Sequence, residues 1–352
     1  MREGIRASFI CYCPLFQLPG EQECLGHIII PCDYVNPARG VLFCGECGGT
    51  LWYLITQVYT CKLCSYLLHP QCVSKIRRRC VGTFLNSLEA EELPRFWDGL
   101  IILSICPEMS LAEQKFSCLE CEVAFGSFSE ARLCDYTGGY YCSRCHWGGL
   151  SSSPARIVHN WDFSLQPMSQ GALTYLGLVS RKPLISLEKL NPSLTAVIPE
   201  LATVMKLRQQ LLSMKKYLVV CRIAGEERLL TLLQDRQHFV DSAEMFSFRD
   251  LVDINSGVLV SYLKSIFETF KTHIISCVLC LAKSFVCEIC PGQDQECPFP
   301  FDDGADVCCD CEAVFHRECF RTVPSCPRCD RKKGKRESAL AQSARVFTVD
   351  IE

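Results

Sequence analysis

Ten ligand pairs, each separated by two residues, punctuate this chain: Cys44/Cys47, Cys61/Cys64, His69/Cys72, Cys118/Cys121, Cys142/Cys145, Cys277/Cys280, Cys287/Cys290, Cys308/Cys311, His316/Cys319 and Cys326/Cys329. Such a turn aims two side chains at one tetrahedral ion, and two turns complete its shell, so the spacing points to zinc. Most of the 28 cysteines in the 352 residues are used this way.

A disulfide scaffold is the competing use of so many cysteines, but it needs an oxidising compartment and a secretory leader. Arg2 and Arg6 ahead of Phe9-Ile10-Cys11-Tyr12 bear only a faint likeness to a leader, and Pro14 interrupts the apolar run. Thiolate ligands fit a reducing cytosol. A membrane-spanning helix needs roughly 18 consecutive apolar residues, and no such run exists; Leu100–Cys106 is too short and reads as a buried strand. A formal charge of −3 gives no global attraction to nucleic acid or anionic lipid, leaving a peripheral membrane contact at most. Arg77-Arg78-Arg79 and Arg331-Lys332-Lys333-Gly334-Lys335-Arg336 are the dense basic runs, and solvated surface is the expected role of each.

Between residues 147 and 276 only Cys221 interrupts a pattern that turns helical. Leu201, Val204, Met205, Arg208, Leu211, Leu212, Lys215, Leu218 and Val219 follow the spacing of one helical face, with Lys206, Gln209, Gln210 and Ser213 opposite. Ser247 with Asp250 reads as an N-cap, with Phe246 and Leu251 as its staple. Leu259, Leu263, Ile266, Phe267 and Phe270 share a face after the break at Gly257, and Leu229 to Leu233 suggest one more helix. The expected class is α+β and zinc-rich: a small β-type two-zinc finger, then a helical stretch flanked by zinc-binding subdomains. Cys221 is expected to be a buried core thiol, and His159, His238 and His273 to have structural or surface roles, since none has a partner at metal spacing. Cys11, Cys13, Cys24, Cys32, Cys106, Cys297 and Cys309 stay unassigned.

The run Cys44-x2-Cys47-x13-Cys61-x2-Cys64-x4-His69-x2-Cys72-x7-Cys80 resembles the diacylglycerol/phorbol-ester finger of the protein kinase C type. That resemblance implies two interleaved ions, one on His27, Cys61, Cys64 and Cys80 and one on Cys44, Cys47, His69 and Cys72. His27 precedes Cys44 by 16 intervening residues, longer than the family's spacing, and Cys32 is the alternative ligand. Leu51, Trp52 and Gln57 match the family. Tyr53 and Val58 stand where lipid-binding fingers carry glycine, so the lipid groove is expected to be filled and the finger to be structural or protein-binding.

Further on come Cys134-Asp135-Tyr136-Thr137-Gly138-Gly139-Tyr140-Tyr141-Cys142-Ser143-Arg144-Cys145-His146-Trp147, then Pro154 to Phe163, Leu233 to Val240, and Phe299-Pro300-Phe301. With the flanking pairs, these resemble the Rubicon-homology zinc domain shared by Rubicon, Pacer and the pleckstrin-homology-domain family M proteins. Seven pairs between Cys118 and Cys329 supply fourteen ligands, and Cys134 with His146 would bring them to sixteen, or four ions. The run Cys287-x2-Cys290-x17-Cys308-x2-Cys311-x4-His316-x2-Cys319-x6-Cys326-x2-Cys329 resembles a cross-brace in which alternate pairs share an ion; Cys277 and Cys280 would then take Cys134 and His146. About six zinc ions are expected in all. The expected organisation is an N-terminal segment at 1–26, the finger at 27–80, a linker at 81–105, the Rubicon-homology domain at 106–336 and a flexible tail at 337–352.

Closed, thiolate-rich sites are structural, and nothing resembles a nucleophile with its base or a phosphate-binding loop, so no enzyme is expected. The resemblance implies an endolysosomal adaptor: binding a GTP-loaded Rab-family GTPase of late endosomes, working with a pleckstrin-homology-domain family M protein, and regulating lysosome positioning or autophagic traffic. The segment Ser247 to Lys271 is the expected partner surface. A RING-like ubiquitin ligase and a PHD-like chromatin reader are the alternatives; against the first, six residues follow His316-x2-Cys319 where a RING has two.

Overall fold

The computed structural model describes residues 21–32, 42–52, 55–86, 101–126, 130–290 and 298–346. Tyr53, Cys11, Cys13 and Cys297 lie outside them. Small antiparallel sheets and helices surround several Cys/His clusters. The chain divides into two units, one of residues up to Ile185 with Ser247–Arg249, the other of Ser186–Phe246 with Asp250 onward.

In the first unit, β1 (Gln22–Cys24), β2 (His27–Cys32), β3 (Val58–Cys61) and β4 (Leu67–Leu68) form a four-stranded sheet in sequential order. Its register sets Ile29 opposite Cys61 and Cys32 opposite Val58. The sheet begins ahead of His27. Ile29, Leu51, Val58 and Leu68 pack with the cysteines as the core of this finger, too small a core to hold without staples. Helix α1 (Val81–Asn86) follows. Residues 101–106 form no strand, in contrast to the sequence reading; Ile101 is buried singly, and the Ile102 amide donates to the Tyr136 hydroxyl at 3.0 Å. Two hairpins, β5 (Arg132–Leu133) with β6 (Tyr140–Tyr141) and β7 (Leu150–Ser152) with β8 (Leu165–Pro167), frame α2 (Pro154–Asn160) and lead to α3 (Gln170–Val179).

One basic run is not solvated as expected. Arg77 and Arg79 are exposed, but Arg78 is buried: it sits 3.5 Å from Glu120, donates to the Arg144 carbonyl and lies over the Tyr66 ring. A guanidinium carries five donors in a planar fork, so one side chain joins the finger to the next zinc knuckle.

The second unit is built on α4 (Pro199–Leu218) packed against α6 (Val258–Ser276), with α5 (Phe248–Asn255) leading in. Gly257 takes φ 74° to start α6, a conformation that glycine adopts at no steric cost. The buried stripe of α6 is Leu259, Leu263, Ile266, Phe270 and Ile274. On α4, Leu201, Val204, Leu211 and Leu218 are buried with Arg208, Leu207, Met214 and Tyr217, whereas Val219 is 60% exposed. Leu229–Val240 is a 3-10 segment kinked at Gln234 (φ 50°, ψ −118°) rather than an α-helix. The hairpin β9 (Ala305–Val307) with β10 (Val314–His316) precedes α7 (Pro327–Val346), which continues through the expected flexible tail to Val346. No helix among the described residues is long and apolar enough to cross a membrane.

Candidate metal centres

One turn recurs. At Cys44, Cys61, Cys118 and Cys308 the cysteine amide donates to the carbonyl five residues on, and the amide four residues on donates back to the cysteine carbonyl, all at 2.8–2.9 Å. The residue at the fourth position takes positive φ in each: Gly48, Ser65, Glu122 and Glu312. This knuckle turns both sulfurs of a Cys-x2-Cys pair to one side.

Five sets of four donors converge within 4.8 Å: His27, Cys61, Cys64, Cys80; Cys44, Cys47, His69, Cys72; Cys118, Cys121, Cys142, Cys145; Cys221, His273, Cys277, Cys280; and Cys287, Cys290, His316, Cys319. A sixth joins Cys308 to Cys329 at 3.7 Å and Cys311 to Cys326 at 3.6 Å. Four thiolates held tetrahedrally at zinc–sulfur distances stand about 3.8 Å apart, and a sulfur and an imidazole nitrogen about 3.5 Å. Cys61 and Cys80 are 3.8 Å apart, Cys121 and Cys142 3.6 Å, Cys221 and Cys277 3.7 Å; Cys64 lies 3.4 Å from His27 Nδ1 and Cys290 3.3 Å from His316 Nδ1. None of the described cysteines forms a disulfide.

The histidines are oriented for coordination. His27 Nε2 faces the Arg78 carbonyl at 3.2 Å and His69 Nε2 the Thr50 carbonyl at 3.1 Å, so each donates its Nε2 proton and leaves the Nδ1 lone pair to its cluster. His273 is reversed: Nδ1 meets Glu227 at 3.2 Å and Nε2 lies 3.4 Å from Cys221. The crowding of the thiols also suits a cation. The Cys64 thiol, donating to Cys61, draws Cys61 down to about 3 while Cys64 itself is pushed up; Cys145 does the same to Cys118, drawn to about 4. Crowded thiols alone therefore keep their neighbours protonated, and a dication at the centre would let all of them ionise. The donor sets fit zinc.

Residues 132–334, more than half of the chain, match the Rubicon Homology Domain family, and residues 37–83 match the phorbol esters/diacylglycerol binding domain (C1 domain). The chain belongs to the Rubicon homology domain family. It is 39% identical over 299 residues to the "Differentially expressed in FDCP 8 homolog" of Drosophila melanogaster, covering 84% of this chain and 58% of that protein. The Caenorhabditis elegans protein of the same name is 34% identical over 304 residues, covering 84% and 61%. The "Pleckstrin homology domain-containing family M member 3" of Homo sapiens is 37% identical over 235 residues, covering 66% and 31%. The chain thus spans about three fifths of the length of the first two relatives. Both matched stretches start after ligands they need: His27 precedes the C1 match, and Cys118 and Cys121 precede the Rubicon homology match.

Two assignments within the Rubicon homology domain are corrected by the structure. Cys277 and Cys280 are met by Cys221 and His273, not by Cys134 and His146. Both nitrogens of His146 are already engaged: the Gly148 amide donates to Nδ1 and Nε2 faces the Leu133 carbonyl, each at 3.1 Å, and burial lowers its pKa and keeps it neutral. Cys134 is fully buried and accepts from the Ser169 amide at 3.3 Å. Its loop has the knuckle hydrogen bonds and a positive φ at Gly138, but Thr137 stands where the second cysteine would be. Cys221, expected to be a core thiol, and His273, expected to be merely structural, are the missed residues. The compact run His273-x3-Cys277-x2-Cys280 was the available signal.

In the finger, Cys32 lies in β2 opposite Val58 and outside the clusters, while His27 lies within one. Of the Ser247 to Lys271 segment, the apolar stripe of α6 is core, and Val258 is exposed at its start.

Proposed function

We propose that this chain is a non-enzymatic, zinc-stabilised adaptor of the endolysosomal system. It binds a GTP-loaded late-endosomal Rab GTPase and works with a pleckstrin-homology-domain family M protein in positioning lysosomes or in autophagic traffic. The Rubicon homology match over residues 132–334 is the observation that carries this reading. The closed donor sets support it, because a four-ligand site leaves no position for water or substrate. The protein acts in the cytoplasm and is held peripherally on late endosomes and lysosomes by its partners.

The same reading assigns six zinc ions, one to each of the six sets. Elemental analysis of the purified chain is expected to give about six zinc ions per molecule, and chelation is expected to unfold both units, since each structural ion contributes roughly 10–16 kcal/mol of apparent binding energy in finger peptides. Four or fewer ions would remove at least two of the sets. The functional test is binding of the full chain to the late-endosomal Rab loaded with GTP or GDP. Preference for the GTP form is expected; equal binding to both, or to neither with zinc intact, would leave the adaptor without this partner. An autoubiquitination assay in parallel tests the ligase alternative, which the cross-brace of the last two sets keeps in view.

A further inference from the structure

Arg78 touches the surroundings of two metal centres at once. Its carbonyl accepts the Nε2 proton of His27 at 3.2 Å, and His27 Nδ1 lies 3.4 Å from Cys64 Sγ. A partner on the far nitrogen fixes the tautomer and ring orientation of a ligating imidazole, so the backbone at Arg78 aims His27 at its ion. The side chain reaches the other way, into the set of Cys118, Cys121, Cys142 and Cys145. Its guanidinium donates to the carbonyl of Arg144, between Cys142 and Cys145, and stands 3.5 Å from Glu120, between Cys118 and Cys121. Both halves of that set therefore rest on one arginine, itself two residues from the ligand Cys80. The Tyr66 ring closes the link on the finger side: it stacks on His27 with 5.1 Å between ring centres and carries the guanidinium over its face at 5.7 Å.

Charge strengthens this link. Four thiolates around one dication leave a net charge of about −2, and one imidazole with three thiolates about −1. Glu120 adds a further negative charge beside the four-thiolate set; its Oε2 is buried with no hydrogen-bond partner among the described residues, and its ion-pair partner is Arg78. Arg78 is 8% exposed, so its attraction for these groups is little screened by salt. Without an ion nothing draws the two turns of the four-thiolate set together. The guanidinium then loses its anchor, and the carbonyl that orients His27 is freed with it. We infer that Arg78 couples the centre of His27, Cys61, Cys64 and Cys80 to that of Cys118, Cys121, Cys142 and Cys145, so that zinc in either one tightens zinc binding in the other. Such coupling is reciprocal, with the same factor in both directions. The finger and the neighbouring four-cysteine centre thus load and lose metal as one unit. This rests on the zinc reading above.

The test uses the full chain and follows each centre separately, by N-ethylmaleimide labelling of cysteines at rising chelator concentration, read by peptide mass spectrometry. Cys142→Ser removes a ligand from the four-cysteine centre. Cys61, Cys64 and Cys80 are then expected to lose protection at a chelator concentration roughly tenfold or more below that of the parent, the scale on which outer-shell partners change metal affinity. Cys61→Ser is expected to have a matching effect on Cys118 and Cys145. In an Arg78→Ala background, Cys142→Ser should add nothing at Cys61, Cys64 and Cys80. Should Arg78→Ala not fold, Arg78→Lys replaces it, keeping the charge but not the fork that spans two turns. Cys287 and Cys290 report on general unfolding and are expected to stay as in the parent. Unchanged protection of Cys61, Cys64 and Cys80 in Cys142→Ser would overturn the inference, as would an equal loss with Arg78 replaced, or a loss shared by Cys287 and Cys290. A parent chain whose cysteines label at once without chelator would overturn the zinc reading as well.

Discussion

Cys221→Ser is expected to release a zinc ion and melt the second unit, whereas Cys134→Ser is expected to keep the full metal content. Cys221 Sγ lies 3.7 Å from Cys277 Sγ and 3.4 Å from His273 Nε2, and it stands three residues beyond α4. His273 is in the last turn of α6 and Cys277 caps it. Both long helices therefore end at this site with their negative dipole ends toward the ion, which adds to the attraction of the ligands. A set left with three ligands loses metal, and with it a share of binding energy comparable to the roughly 5–15 kcal/mol that stabilises a whole domain. Cys134, in contrast, accepts one amide hydrogen bond, and its replacement costs about 1–3 kcal/mol. Elemental analysis with circular dichroism at 222 nm separates the two. The assignment fails if Cys221→Ser keeps its zinc and its helix signal, or if Cys134→Ser loses metal.

Arg208→Ala is expected to lower stability by about 2–5 kcal/mol, because two carbonyls lose their donor at roughly 1–3 kcal/mol each and a cavity opens between two rings. Arg208 is fully buried on α4, with its guanidinium 4.2 Å from the Phe239 ring centre and 4.3 Å from that of Phe246. Nη2 donates to the Ser242 carbonyl at 2.5 Å and the Met245 carbonyl at 2.7 Å. Burial lowers its pKa to about 10, offset in part by Asp250, so it stays charged at neutral pH. Truncation would open a cavity between two rings and orphan two carbonyls together. Lysine keeps the charge but has neither the planar fork nor the stacking face, so Arg208→Lys should recover only part of the loss. Urea titration measures both variants; a value within about 0.5 kcal/mol of the parent for Arg208→Ala would mean the site behaves as surface.

What the sequence disclosed was local. A knuckle is encoded within six residues, so the paired ligands and the turn at Cys44 or Cys308 are legible from spacing alone. The faces of α4 and α6 are legible because helical periodicity and burial coincide at Leu201, Val204, Leu259 and Leu263. The partners of Cys277 and Cys280 were not, because Cys221 reaches them only once α4 and α6 have packed, and counting ligands to sixteen is arithmetic without geometry. His146 and Cys134 satisfied the count but had already spent their polar atoms on Leu133, Gly148 and Ser169. Arg208 reads in sequence as a polar interruption of an apolar stripe, and nothing local tells that two phenylalanines from distant segments will close over it. The 3-10 segment at 229–240 was read as α-helix because its leucines suit either form, and the backbone reversal at Gln234 has no residue signature.

In polymer terms, a zinc ion held at the end of α4 and α6 would be a removable crosslink. It would tie Cys221 to His273 across 52 residues of chain, and closing a loop of that length removes about 4 kcal/mol of conformational freedom from the unfolded ensemble. A disulfide would do the same permanently. Such a tie would hold only while free zinc and reduced thiols are both present, so the lifetime of the helical unit would be set by metal supply and thiol chemistry as much as by its apolar packing.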